Sequence, residues 1–129
     1  MDRLAVVVGI NGSDKSLAAL AGAARQAALA GNRIVAIHVV RSHPLRLPPD
    51  VSYAGEIAVA EDALTDRCHL DCEVVLAGVD APWQFEVRHG DPVTELARAA
   101  ADHDAICVAI GRSARRRFGS HLSTSERLV

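Results

Sequence analysis

Residues 4–10 read Leu-Ala-Val-Val-Val-Gly-Ile, a run with no polar side chain, and Asn11-Gly12-Ser13-Asp14 follows at once. A run this short and this uniformly apolar marks a strand covered on both faces, and such strands belong to parallel sheets sheltered by helices. The signal returns at residues 34–40, with His38 inside it, and at 105–110. Between these runs the apolar spacing changes to helical intervals. Leu17, Leu20, Ala21, Ala24 and Ala28 form one stripe, opened by Ser13 or Asp14 as a cap and stopped by Gly31-Asn32. Ile57, Ala60, Leu64, Cys68, Cys72 and Val75 mark a second helix, to about residue 78. Val93, Leu96, Ala97 and Ala100 mark a third, with Asp91 as its cap and Pro92 in its first turn, where a missing N–H costs nothing.

Residues 83–89 behave differently. Trp83, Phe85 and Val87 alternate with Gln84, Glu86 and Arg88, the pattern of a half-exposed edge strand. Residues 41–55 carry Pro44, Pro48, Pro49 and Gly55 and read as a long loop. The order is therefore βαβαβαβ, an α/β domain with an open parallel sheet and helices on both faces. The 129 residues suit one domain. The fourth strand is too apolar for an edge, so a fifth strand, absent from this chain or supplied by a partner, is expected beside it. Residues 111–124 form a basic loop and 125–129 start a further helix.

Composition narrows the function classes. Half of the residues are hydrophobic but only 3% are aromatic, which disfavours a base-stacking nucleic-acid platform. The net charge of −2 leaves no field to recruit nucleic acid or acidic lipid. The distribution is uneven: residues 1–110 carry 9 basic and 15 acidic side chains, whereas Arg112, Arg115, Arg116, Arg117 and Arg127 face only Glu126 beyond them. Three cysteines, Cys68, Cys72 and Cys107, have no framework spacing and suit a reducing compartment. No apolar run reaches the ~18–20 residues of a membrane span, so the expected location is cytoplasmic.

Five segments, taken in order, resemble the universal stress protein family. Residues 7–13, Val-Val-Gly-Ile-Asn-Gly-Ser, are similar to its opening strand and turn, and His38-Val39 to the pair that ends its second strand. Residues 87–92, Val-Arg-His-Gly-Asp-Pro, resemble the segment before its third helix. Ile110-Gly111-Arg112 and Ser125-Glu126-Arg127 resemble the turn after its fourth strand and the start of its last helix. The resemblance implies a Rossmann-like sheet, of the adenine-nucleotide α-hydrolase-like kind, in the order 3-2-1-4-5, with the fifth strand lacking here, and homodimers paired through that strand.

In such a sheet the ligand crevice lies beyond the carboxyl ends of the strands where strand order reverses, between the first and fourth. The resemblance implies that an adenine nucleotide, ATP or another, binds there. An acid after strand one would hold the ribose, the backbone after strand two would touch adenine, and a loop of form G-x2-G-x9-G-[S/T] would wrap the phosphates. The candidate ligand residues are Gly9, Asn11, Gly12, Ser13, Val39, Ile110, Gly111, Arg112 and Ser123. The chain departs from the pattern at three points. Asn11 replaces the acid and bonds a hydroxyl without charge assistance. Ala114 replaces the second glycine. Leu122-Ser123 then ends the loop after seven residues in place of nine, or Gly119-Ser120 after four. In compensation Arg112, Arg115, Arg116 and Arg117 offer guanidinium groups to phosphate. The same arginines also suit a solvated loop or an acidic protein partner.

The remaining reactive residue types read as structural. Cys68 and Cys72 share a helix face while His69 is turned by roughly 100°, which makes no convergent metal set. His38 inside a buried strand reads as a satisfied core histidine. His89, Asp91, Asp102, His103 and Asp104 fall at element ends, where caps and dipole partners belong. No catalytic residue and no metal site is assigned. Three function classes stay open: a universal-stress-type binding domain that senses an adenine nucleotide, a dimeric interaction module that uses the arginine loop without a nucleotide, and a weak ATPase.

Overall fold

The computed structural model of the chain describes residues 3–41 and 53–111. Its elements are β1 (Ala5–Gly9), α1 (Asp14–Ala30), β2 (Arg33–Val40), α2 (Tyr53–Leu76), β3 (Trp83–His89), α3 (Pro92–Asp102) and β4 (Ala105–Ala109). The four strands form one parallel sheet in the order β3-β2-β1-β4. Fold class and strand order are those expected from the alternation of buried runs and helical stripes.

Period two along β1 and β2 divides the core into two layers. Val6, Val8, Ile34 and Ala36 point to one face, where Leu20, Ala24 and Ala27 of α1 and Cys68, Cys72 and Leu76 of α2 meet them. Val7, Val35 and Ile37 point to the other, against Leu96, Ala99 and Ala100 of α3. Both faces of β1 and β2 are thus closed, which is why neither strand carries an exposed polar position. The bend between Ala5 and Val6 in the β1–β4 pairing adds one residue on the β4 side, so Val6 aligns with Cys107.

The caps form as the sequence demands. Ser13, not Asp14, caps α1: its Oγ accepts from the Ser16 N–H at 3.1 Å, and Gly31 closes the helix at φ 76°. Asp91 caps α3, accepting from the N–H and the hydroxyl of Thr94, both at 3.0 Å, with Pro92 in the first turn.

Two expectations need correction. Helix α2 begins at Tyr53, so the last residues assigned to the 41–55 loop are helical. Residues 53–56, Tyr-Ala-Gly-Glu, follow the last proline, and the lone Gly55 costs a helix only about 1 kcal/mol. The prolines Pro44, Pro48 and Pro49, the basic loop 112–124 and the helix start at 125–129 lie outside the described residues. The expected fifth strand has no described residue to report it, and among the described residues β4 pairs only with β1.

The second correction concerns β3. It is an edge strand, as its alternation implies, but the charged side chains Glu86 and Arg88 are partly sheltered and paired. Arg88 bonds Glu86 and Asp102, the latter at 2.8 Å, and approaches Glu95 at 3.8 Å. His103 Nε2 lies 2.8 Å from Glu86 Oε1. Helix α3 covers part of this face, so the sheltered charges neutralise one another. His69 faces away from the cysteines, as its place on the helix implies, and packs on the sheet edge, stacked on Phe85 at 4.6 Å between ring centroids and edge-on to Trp83.

Candidate functional site

Parallel strands send their carboxyl ends to one side, and β1 is where chain order reverses, with β2 on one flank and β4 on the other. A cleft of about 330 Å³ opens there. Its walls are apolar: Ile10 beyond β1, Ile37 and Val39 of β2, Pro92, Val93 and Leu96 of α3, and Ile110 beyond β4. Asn11, Ser13, Ser16 and Arg41 supply its polar groups. The volume falls at the lower end of the range of small-molecule pockets, and an apolar lining with few polar groups is their usual composition.

The turn from Gly9 to α1 is held by its own side chains. The Ser13 N–H donates to Asn11 Oδ1 at 3.0 Å. The Asn11 N–H donates to Ser16 Oγ at 3.3 Å, and the Ser16 hydroxyl donates to the Ser13 carbonyl at 2.9 Å. With Oδ1 bonded to the Ser13 amide, the other end of the Asn11 side chain is the NH₂ group, a donor. A carboxylate here would offer an acceptor in its place. The substitution of asparagine for the expected acid therefore reverses the hydrogen-bonding sense of this position as well as removing its charge.

Beneath the turn, His38 Nδ1 lies 2.9 Å from the Ile10 carbonyl, and Cys68 Sγ lies 3.7 Å from the same nitrogen. The carbonyl can only accept, so Nδ1 carries the hydrogen. His38 is 4% exposed and anchors the end of the β1 segment from within the core. Its partner is the backbone, which is the satisfied histidine expected from its position. Burial pushes the Cys72 thiol up to about 12, and burial likewise raises Cys68 and Cys107. These thiols are packing groups.

Of the nine residues proposed from sequence, Gly9, Asn11, Ser13, Val39, Ile110 and Gly111 line the cleft. Gly12 does not line it: at φ 87° it turns the chain, and its α-carbon faces Leu64 and Cys68 of α2. Arg112 and Ser123 lie outside the described residues. The glycines also serve packing. A Cβ on Gly9 would meet Leu96 at 3.1 Å, and one on Gly111 would meet the backbone of Lys15 and Ser16 at 3.1–3.2 Å. Their small size brings elements together, and neither missing side chain is replaced by open cleft.

Sequence reasoning missed Arg41, Ser16 and the α3 wall of Pro92, Val93 and Leu96. Arg41 had a signal: it directly follows β2, so it sits at the carboxyl end where the crevice lies. The α3 wall had one too, because the helix after an edge strand starts on that same side. Ser16 had none, since its role depends on how the Asn11 turn folds back onto α1.

These features have counterparts in known proteins. The model of the "Universal stress protein family" matches residues 4–129. The chain belongs to the universal stress protein family. No curated protein sequence matches it. Among solved structures, the universal stress protein UspA from Lactobacillus plantarum superposes with a TM-score of 0.73 at 20% identity, covering 85% of this chain and 77% of that one. A universal stress protein from Archaeoglobus fulgidus in complex with dAMP gives 0.69 at 20% identity, covering 99% and 92%. A universal stress protein in complex with cAMP gives 0.68 at 21% identity, covering 98% and 88%. These likenesses establish the shared fold. Among the described residues of this family member no helix is long and apolar enough to cross a membrane.

Proposed function

We propose that this universal stress protein binds an adenine nucleotide in the cleft and acts through that binding, without turnover. The observation that carries the reading is the cleft itself: an apolar slot at the carboxyl ends of β1, β2 and β4, with polar groups from Asn11, Ser13 and Arg41 at its edges. An apolar slot suits a purine ring, and edge donors suit a sugar phosphate. That two structural neighbours are complexes with cAMP and dAMP supports the same class of ligand. The proposal keeps the expected homodimer as the acting unit.

The test is isothermal titration with AMP, cAMP, ADP and ATP on the native chain and on Val93→Trp. Val93 lines the cleft yet is 37% exposed, so a larger side chain fills the slot without entering the core. Binding that is present in the native chain and lost in the variant supports the reading. No binding, or binding untouched by Val93→Trp, contradicts it.

A further inference from the structure

The described lining of the cleft holds a single charge. Arg41 is the one ionised side chain among thirteen lining residues. It follows β2 directly, lines the cleft and is exposed, so it lies within reach of a ligand from a fixed strand end. The other described side chains with open hydrogen-bonding capacity there are Asn11, whose NH₂ group is left as a donor by the bond from the Ser13 amide to Oδ1, and Ser13, whose Oγ accepts from the Ser16 amide and keeps its own hydrogen. The Ser16 hydroxyl is occupied by the Ser13 carbonyl and the Asn11 amide. Asp91 is the acid in electrostatic reach of Arg41. Its carboxylate already accepts two bonds from Thr94, and these bonds first, with Arg41 as a smaller cause, hold it below the usual carboxylate range. Among the described lining residues the open side-chain groups of Arg41, Asn11 and Ser13 can each donate, and Arg41 is the charged one.

Given the nucleotide reading above, on which this step rests, we infer that Arg41 holds the phosphate and makes the cleft select for the charged nucleotide over its nucleoside. A planar guanidinium matches two phosphate oxygens at once, and charge-assisted bonds are about twice as strong as neutral ones. The purine supplies apolar contact in the slot, and the phosphate supplies selectivity at its mouth. Arg41 is thus a specificity-determining residue that lies at the end of the second strand.

The test compares adenosine and AMP by isothermal titration at low salt, on the native chain, Arg41→Ala and Arg41→Lys. The inference predicts that the native chain binds AMP at least tenfold tighter than adenosine. Arg41→Ala reduces that ratio to within about threefold, mainly by weakening AMP, and Arg41→Lys retains a part of it. Because Arg41 is exposed, circular dichroism of all three proteins should superimpose. If AMP and adenosine bind the native chain equally, or the ratio survives Arg41→Ala, the inference is overturned while the nucleotide reading stands. If neither ligand binds the native chain, both fall together.

Discussion

Gly111 lies against the first turn of α1 so closely that a Cβ on it would come within 3.1 Å of the Ser16 nitrogen. The contact joins the end of β4 to the start of α1 and fixes the width of the cleft between them. Since the opposing atoms are backbone, they cannot move aside as a flexible side chain would. Gly111→Ala should destabilise the fold by about 1–3 kcal/mol, the usual cost of overpacking, read as a lower urea midpoint. An unchanged midpoint would show that the junction is loose.

The hydrogen bond from His38 to the Ile10 carbonyl predicts a second outcome. His38→Phe keeps the ring and its packing but leaves the carbonyl without its donor. The loss should cost about 1–3 kcal/mol in urea unfolding, the penalty of an unsatisfied buried group. A neutral result would mean that water takes the place of the ring nitrogen.

How much was legible in the sequence follows from which forces act locally. The apolar 4–10 run and the 34–40 run, polar only at His38, identify the two central strands because burial on both faces admits a polar residue only where it finds a partner. The alternation of 83–89 marks an edge for the same reason. The charged half of β3 was misread as solvent-facing, since Glu86 and Arg88 look identical in sequence whether they meet water or each other. What separates the cases is α3 lying over them, a tertiary fact. Likewise Asn11 was legible as a site residue from its place after β1. That its side chain presents a donor depends on the Ser13 amide, which only the folded turn brings to it.

The Glu86 cluster gives a pH prediction. Burial pushes its carboxyl up, but bonds from His103 and Arg88 outweigh that and leave it below the usual value. A carboxyl lowered in the folded state adds stability above the unfolded-state value, about 4.3, and that contribution disappears as pH falls through the folded value. Native protein should therefore lose stability relative to Glu86→Gln between roughly pH 5 and pH 3. Urea unfolding at stepped pH checks it. Parallel curves across the acid range would show that Glu86 titrates normally.

The cysteines give a chemical one. With Cys72 raised to about 12 and Cys68 and Cys107 raised by burial, almost no thiolate exists at pH 8. An aromatic disulfide reagent should label the folded protein slowly and all three thiols promptly in denaturant. Rapid labelling of the folded chain would place a reactive thiolate where the packing shows none.

The account rests on one cleft being the ligand site, and amide chemical-shift mapping with AMP tests this most directly. The predicted result is a set of shifts centred on Gly9, Asn11, Ser13, Val39, Arg41, Val93 and Gly111, with Val59, Leu70 and Val74 on the exposed face of α2 unmoved. Shifts gathered on that outer face, or a spectrum unaltered at millimolar AMP, would contradict it.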